Sequence, residues 1–205
     1  MIDLMKTGGP VLWLIIAGGV AAFGVFIERA WHLHRARIRS DDFLKGIFNV
    51  LKRHNVSEAL TICEETPGPI AYLVKTAIIH RSDDKNTLRS TLEDASLSEI
   101  SRMERRLVVV ATVAQLSPLL GLLGTVLKFI EALVVMQGGE PVIPSEAVTG
   151  PLGTALVTTA AGLSVAIPAY AGFNLLVVKI DRIVLDMERA ASEIAAFISK
   201  LENRR

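Results

Sequence analysis

The side chains that could do chemistry in this sequence are hydroxyls placed inside apolar segments of helix length. Thr125 lies in an uncharged run from Leu107 to Leu127, and Thr159 lies in another from Pro151 to Val178. A threonine hydroxyl in such a place can bond to a carbonyl of its own helix, bond to a neighbouring helix, or line a hydrated path. The residues alone leave these three roles open.

Small residues and prolines accompany both threonines. Gly121 lies one turn before Thr125, and the face of Thr159 also holds Ala155 and Gly162. Stripes of this kind let membrane helices approach closely and are typical of tight bundles and oligomers. We therefore predict helix packing and path shaping for five residues: Pro118, Gly121, Gly124, Gly162 and Pro168.

The composition argues against catalysis and against nucleic acid as a partner. The formal net charge is +1, Cys63 is the single cysteine, and only four histidines are present. No nucleophile with a base beside it, phosphate-binding loop or metal-ligand motif is visible, so we expect no enzyme, no cofactor and no metal site. The uncharged runs contain no Asp, Glu or His, so this chain has no obvious proton carrier of its own at mid-membrane.

Three uncharged runs are long enough to cross a bilayer: Pro10 to Ile27, Leu107 to Leu127 and Pro151 to Val178. The mean hydropathy of +0.44 agrees with a membrane protein. A cleaved signal peptide is the alternative for the first run, but most of its neighbouring cations follow it instead of preceding it. Because Lys and Arg stay cytoplasmic, we predict three crossings with the N-terminus outside and the C-terminus inside.

The predicted layout is an all-α membrane protein whose long helices extend into the cytoplasm. We expect the polar helix that ends at Arg106 to continue without interruption into the second crossing. Lys128 and Glu131, three residues apart, are either an interfacial pair or a charge facing a lumen, where Lys128 would bias ion access. The predicted segments are an outer N-terminus (1–9), membrane helix 1 (10–28), a cytoplasmic helical domain (29–106), membrane helix 2 (107–136), an outer loop (137–150), membrane helix 3 (151–178) and a cytoplasmic C-terminal helix (179–205).

Two motifs resemble a known family. Ser117 to Val126 (SPLLGLLGTV) and Ala155 to Ala169 (ALVTTAAGLSVAIPA) are similar to the second and third membrane helices of the MotA/TolQ/ExbB proton channel family, in its ExbB/TolQ branch. The resemblance implies a multi-pass stator subunit of the bacterial inner membrane that forms a ring, typically a pentamer. It also implies a single-pass ExbD/TolR-type partner whose intramembrane aspartate carries the proton, and a TonB/TolA-like energy transducer.

The resemblance also implies roles for individual residues. Thr125 and Thr159 match the family threonines and would face the partner's aspartate, while Pro118 and Pro168 match the family prolines. Thr154 stands where many members carry a glutamate on the pathway, and Lys128 stands where a small or apolar residue is usual. The function expected is a proton-driven stator that performs work on the cell envelope. The alternative is a membrane scaffold that transports nothing.

Overall fold

A computed structural model describes residues 9–35, 40–137 and 145–202 of the chain. Within these ranges every regular element is an α-helix, which confirms the all-α prediction for the described part. The helices are α1 Gly9–Arg35, α2 Ser40–Lys52, α3 Val56–Glu65, α4 Pro69–Ile79, α5 Lys85–Glu104, α6 Leu107–Gln137 and α7 Ser145–Glu202.

Three of these helices are long and apolar enough to cross a membrane. The qualifying stretches are Gly9–Trp31, Leu107–Gln137 and Thr149–Lys200. Large apolar side chains such as Phe23, Leu122 and Ile167 are exposed on them. A helix can present such a surface to lipid or to another apolar helix, because its own backbone hydrogen bonds are already satisfied.

The described residues form two compact units. One, which we call the apolar unit, comprises residues 9–28, 106–137 and 145–175. The other, the charged unit, comprises residues 29–35, 40–105 and 176–202. The apolar unit contains the paired threonines described below.

Capping residues and a glycine mark the starts of three helices in the charged unit. Asn55 and Asp84 cap α3 and α5 by accepting hydrogen bonds from the backbone N–H groups of Glu58 and Asn86. Gly68 adopts a φ of 134° before Pro69 begins α4, so the Pro67-Gly68-Pro69 motif breaks the chain between α3 and α4. The core is built from fully buried aliphatic side chains: Ile47, Leu73, Val74, Ile78, Met187 and Ile194.

The predicted uninterrupted helix into the second crossing is instead two helices. α5 ends at Glu104 and α6 begins at Leu107. Arg105 keeps right-handed helical dihedrals, and its N–H still bonds to the Ser101 carbonyl at 3.0 Å, so the interruption is short. Arg106 makes an ion pair with Glu28 of α1. Helix periodicity could not reveal this contact, because the two residues are distant in the sequence.

The outer loop predicted for residues 137–150 is shorter than expected. α7 already begins at Ser145, and residues 138–144 of that prediction lie outside the described residues. The predicted boundary between this loop and membrane helix 3, at Gly150 and Pro151, lies inside α7. A proline removes only one backbone hydrogen bond, and an apolar helix tolerates this loss when neighbouring groups compensate. α7 also runs on without a break past the predicted boundary at residue 178.

Candidate functional site

The backbones of α6 and α7 touch at two glycines of the apolar unit. A Cβ atom added to Gly162 would lie 2.5 Å from the Ser117 carbonyl oxygen and 3.1 Å from the Cα atom of Gly121. A Cβ atom on Gly121 would lie 3.2 Å from the Cα atom of Thr159. Because these atoms belong to backbone, no side-chain movement could make room for a larger residue. The glycines therefore permit a close approach of the two helix backbones.

This approach brings Thr125 of α6 against Thr159 of α7. Their hydroxyl oxygens hydrogen-bond to each other. The Thr125 hydroxyl also lies 3.2 Å from the carbonyl oxygens of Gly121 and Ala155, and the Thr159 hydroxyl lies 3.2 Å from that of Gly121. Both threonines are half-buried. The structure thus combines two of the three roles left open by the residues, bonding within a helix and bonding between helices.

The hydrogen bonds of this pair can run in either direction. In one arrangement Thr125 donates to the Ala155 carbonyl and Thr159 donates to Thr125. In the other, Thr159 donates to the Gly121 carbonyl and Thr125 donates to Thr159. Each arrangement satisfies both hydroxyl hydrogens, and they differ in which hydroxyl has lone pairs free for an outside donor. The direction of hydrogen-bond donation between the two hydroxyls can therefore reverse without any change in helix packing.

Three other predicted residues do not join this pair. Thr154 is buried, and its hydroxyl bonds within α7 to the Gly150 carbonyl at 3.0 Å. Pro118 is half-buried and Pro168 is exposed. None of the three has a described hydrogen bond to either threonine of the pair.

Lys128 lies one turn from Thr125 and makes a local ion pair. Its ammonium nitrogen is 2.7 Å from a carboxylate oxygen of Glu131, and the exposed fractions of the two side chains are 25% and 54%. This is the pair that the spacing of three residues predicted. The contact satisfies the charge of Lys128 within its own helix.

Sequence reasoning missed Thr158, the residue directly before Thr159. It is 1% exposed, its hydroxyl bonds to the Thr154 carbonyl at 2.8 Å, and its methyl group lies against Gly124. The signal available was its spacing of four residues from Thr154 and of three from Ala155, which places it on the buried side of the helix. Among the described residues, no group of three or more His, Cys, Asp or Glu could hold a metal ion.

These observations define a class of protein: a membrane protein with three candidate spans. Two of these spans pack closely and form a hydroxyl pair whose hydrogen bonds can run in either direction. The chain belongs to the MotA/TolQ/ExbB proton channel family, whose sequence model matches residues 65–189. The match includes both threonines and the glycines that bring them together.

Individual relatives agree with this assignment. The chain is 31% identical over 181 residues to the putative biopolymer transport protein ExbB-like 1 of Synechocystis sp., covering 86% of this chain and 70% of that protein. It is 29% identical over 197 residues to the biopolymer transport protein ExbB of Neisseria meningitidis, covering 84% and 85%. It is 32% identical over 116 residues to the Tol-Pal system protein TolQ of Haemophilus influenzae, covering 57% and 50%.

Proposed function

We propose that this protein is the stator subunit of a proton-driven motor in the bacterial inner membrane. With an ExbD/TolR-type partner, it converts proton flow into mechanical work on the cell envelope through a TonB- or TolA-like transducer. Membership of a proton channel family supports the part of this proposal that concerns proton flow. The observation that carries it is the hydroxyl pair formed by Thr125 and Thr159.

The pair suits a carboxyl group that alternates between two protonation states. An ionised carboxylate only accepts hydrogen bonds, whereas a protonated carboxyl also donates one. In either arrangement the pair offers free lone pairs to a protonated carboxyl, and it can donate to an ionised carboxylate when one hydroxyl gives up its internal hydrogen bond. The uncharged runs of this chain contain no acid. The partner's membrane helix therefore supplies the carboxyl group in this proposal.

The assembly proposed is a ring, most simply a pentamer, around two partner helices. The cations near the crossings favour the orientation with the N-terminus outside and the C-terminus inside. The segment layout follows from this orientation, with residues 29–106 and 179–205 in the cytoplasm. Exposed apolar side chains on the spans are available to lipid and to neighbouring subunits.

Four other predicted residues are given smaller roles in this proposal. Thr154 is buried with its hydroxyl bonded inside α7, so we propose that it shapes the outer part of the path without carrying the proton. Pro118 and Pro168 are proposed to shape the same path along the two helices. Lys128 is proposed to bias ion access only weakly, because its charge is already paired with that of Glu131.

The first test is co-purification with a neighbouring gene product that has one membrane helix bearing an aspartate. Native mass spectrometry of the complex is expected to give five copies of this chain with two of the partner. A monomer or dimer that binds no such partner would instead support a scaffold that transports nothing.

The second test measures proton flux through the complex in liposomes loaded with a pH-sensitive dye. Replacing Thr125 and Thr159 together by valine keeps their shape and removes both hydroxyls. We expect flux to fall by about 100-fold, the lower end of what a positioned proton-transfer group contributes. Thr112→Val is the matched control, because the Thr112 hydroxyl is exposed on α6 and bonds only to the Val108 carbonyl of its own helix. Parental flux in the double variant would disprove the role given to the pair.

A further inference from the structure

A second pair of residues lies beside the hydroxyl pair, one position earlier on each helix. Gly124 precedes Thr125, and Thr158 precedes Thr159. A Cβ atom added to Gly124 would overlap the Cγ2 methyl of Thr158 and would lie 3.2 Å from its Cβ atom. The Val11 side chain of α1 would be 3.6 Å away on the same side. The methyl group of Thr158 therefore occupies the space that the missing side chain of Gly124 leaves open.

Thr158 has little freedom to leave this position. Its hydroxyl bonds to the Thr154 carbonyl at 2.8 Å, and the residue is 1% exposed. Rotating the side chain to move the methyl away would break that hydrogen bond and leave a buried hydroxyl without it. β-Branched side chains in helices also have few alternative rotamers. The contact is thus specific to one methyl group on one side of the interface.

We propose that Thr158 is a positioning residue whose methyl group, seated against Gly124, sets the separation of the hydroxyls of Thr125 and Thr159. The consequence for proton transfer rests on the proposed function, but the positioning itself does not. Gly121 and Gly162 permit the helices to approach, because only backbone lies between them. The contact of Thr158 with Gly124 then determines the register in which the two helices stop.

The test moves one methyl group across the interface. Gly124→Ala adds a methyl beside the one on Thr158, and Thr158→Ser removes that methyl while keeping the hydroxyl and its bond to Thr154. The double variant carries one methyl in this space, as the parental chain does. In the double variant the Cβ atoms of residues 124 and 158 would be 3.2 Å apart, so a helix shift of a few tenths of an ångström brings them to ordinary contact. Gly24→Ala is the control, since a Cβ atom on Gly24 meets nothing within 4 Å.

The positioning is read out by a disulfide between Thr125→Cys and Thr159→Cys, introduced together with Cys63→Ala. Trypsin cleaves after Lys128, and no other Lys or Arg lies between Leu107 and Val178. After oxidation and denaturation, the peptides 107–128 and 129–179 therefore remain joined only if the disulfide has formed. This readout uses the full chain and depends on neither partner nor proton flux. Flux through the complex with the partner is measured separately, on the same packing variants with both threonines intact.

We expect Gly124→Ala to reduce the yield of joined peptides by about tenfold or more, as an over-packed contact does. Adding Thr158→Ser to it is expected to return the yield to within about twofold of the parental value, as a volume-conserving exchange allows. Proton flux should likewise fall in Gly124→Ala and recover in the double variant. A parental yield in Gly124→Ala, or no recovery in the double variant, would overturn the positioning role. If the yields follow the expected order while the parental complex conducts no protons, the positioning stands and the proposed function fails.

Discussion

Replacement of Gly162 by alanine tests the close approach of α6 and α7 most directly. The new Cβ atom would lie 2.5 Å from the Ser117 carbonyl oxygen, and ordinary contact begins at 3.4 Å, so the helices must separate by about 0.9 Å. Such a separation would stretch the 3.2 Å contact between the Thr159 hydroxyl and the Gly121 carbonyl beyond hydrogen-bond range. The substitution should therefore loosen the hydroxyl pair as well as the packing.

The free energies involved can be compared. Over-packing of a tight contact costs about 2 kcal/mol, and weakening the hydrogen bond of the half-buried Thr159 hydroxyl costs about 1 kcal/mol more. Alanine is favoured over glycine in a helix by about 1 kcal/mol, so the expected net loss is about 2 kcal/mol. Gly121→Ala should cost less, because its nearest atoms would be 3.2 Å away. No change at Ser117 or Gly121 short of moving the backbone can rescue Gly162→Ala.

The assay is the free energy of unfolding of the purified chain in detergent, followed by far-UV circular dichroism during a denaturant titration. Gly153→Ala is the matched control on α7, because Gly153 is exposed and a Cβ atom there meets nothing within 4 Å. We expect Gly153→Ala to be neutral or slightly stabilising. If Gly162→Ala were as stable as Gly153→Ala, the inferred backbone contact between the helices would be wrong.

The remaining predictions concern two ionisable groups, Cys63 and Lys128. Burial raises the pKa of the Cys63 thiol to about 11 from its usual value of about 9, with smaller opposite effects of Lys75 and Glu64. Native protein should therefore react slowly with iodoacetamide at pH 8, whereas protein denatured in SDS should react fast; equal rates would contradict the burial. Because the folded thiol holds its proton more tightly, its contribution to stability is present below about pH 9 and is lost as the pH rises through about 11, so Cys63→Ala should flatten the unfolding free energy over that window. Lys128→Gln removes a partly exposed ion pair and should lower stability by less than about 1 kcal/mol, with proton flux within about twofold of the parental value; a larger change in flux would indicate that the charge itself governs ion access.

Several elements could be predicted from local sequence because their causes are local. The Pro-Gly-Pro break before Ile70 and the start of α5 after Asp84 depend on backbone preferences of the residues themselves. The interruption between α5 and α6 was not predictable, since no proline or glycine marks it. The early start of α7 was not predicted either, because the glycines and prolines between Gln137 and Gly150 are typical of a loop, yet the helix already begins at Ser145. Propensity is a weak guide where tertiary or membrane surroundings compensate.

By itself, the sequence determined that the chain is helical, that it has three stretches able to span a membrane, and that no acid lies within its uncharged runs. These properties follow from composition and charge along a single segment, so no knowledge of neighbouring segments is needed. Only the tertiary structure decided that Thr125 bonds to Thr159 and to the Ala155 carbonyl, and that the methyl group of Thr158 lies against Gly124. The reason is that every residue has a backbone carbonyl and every glycine lacks a side chain, so the sequence does not show which of these groups will meet another helix. Their position relative to another helix exists only once the helices have packed.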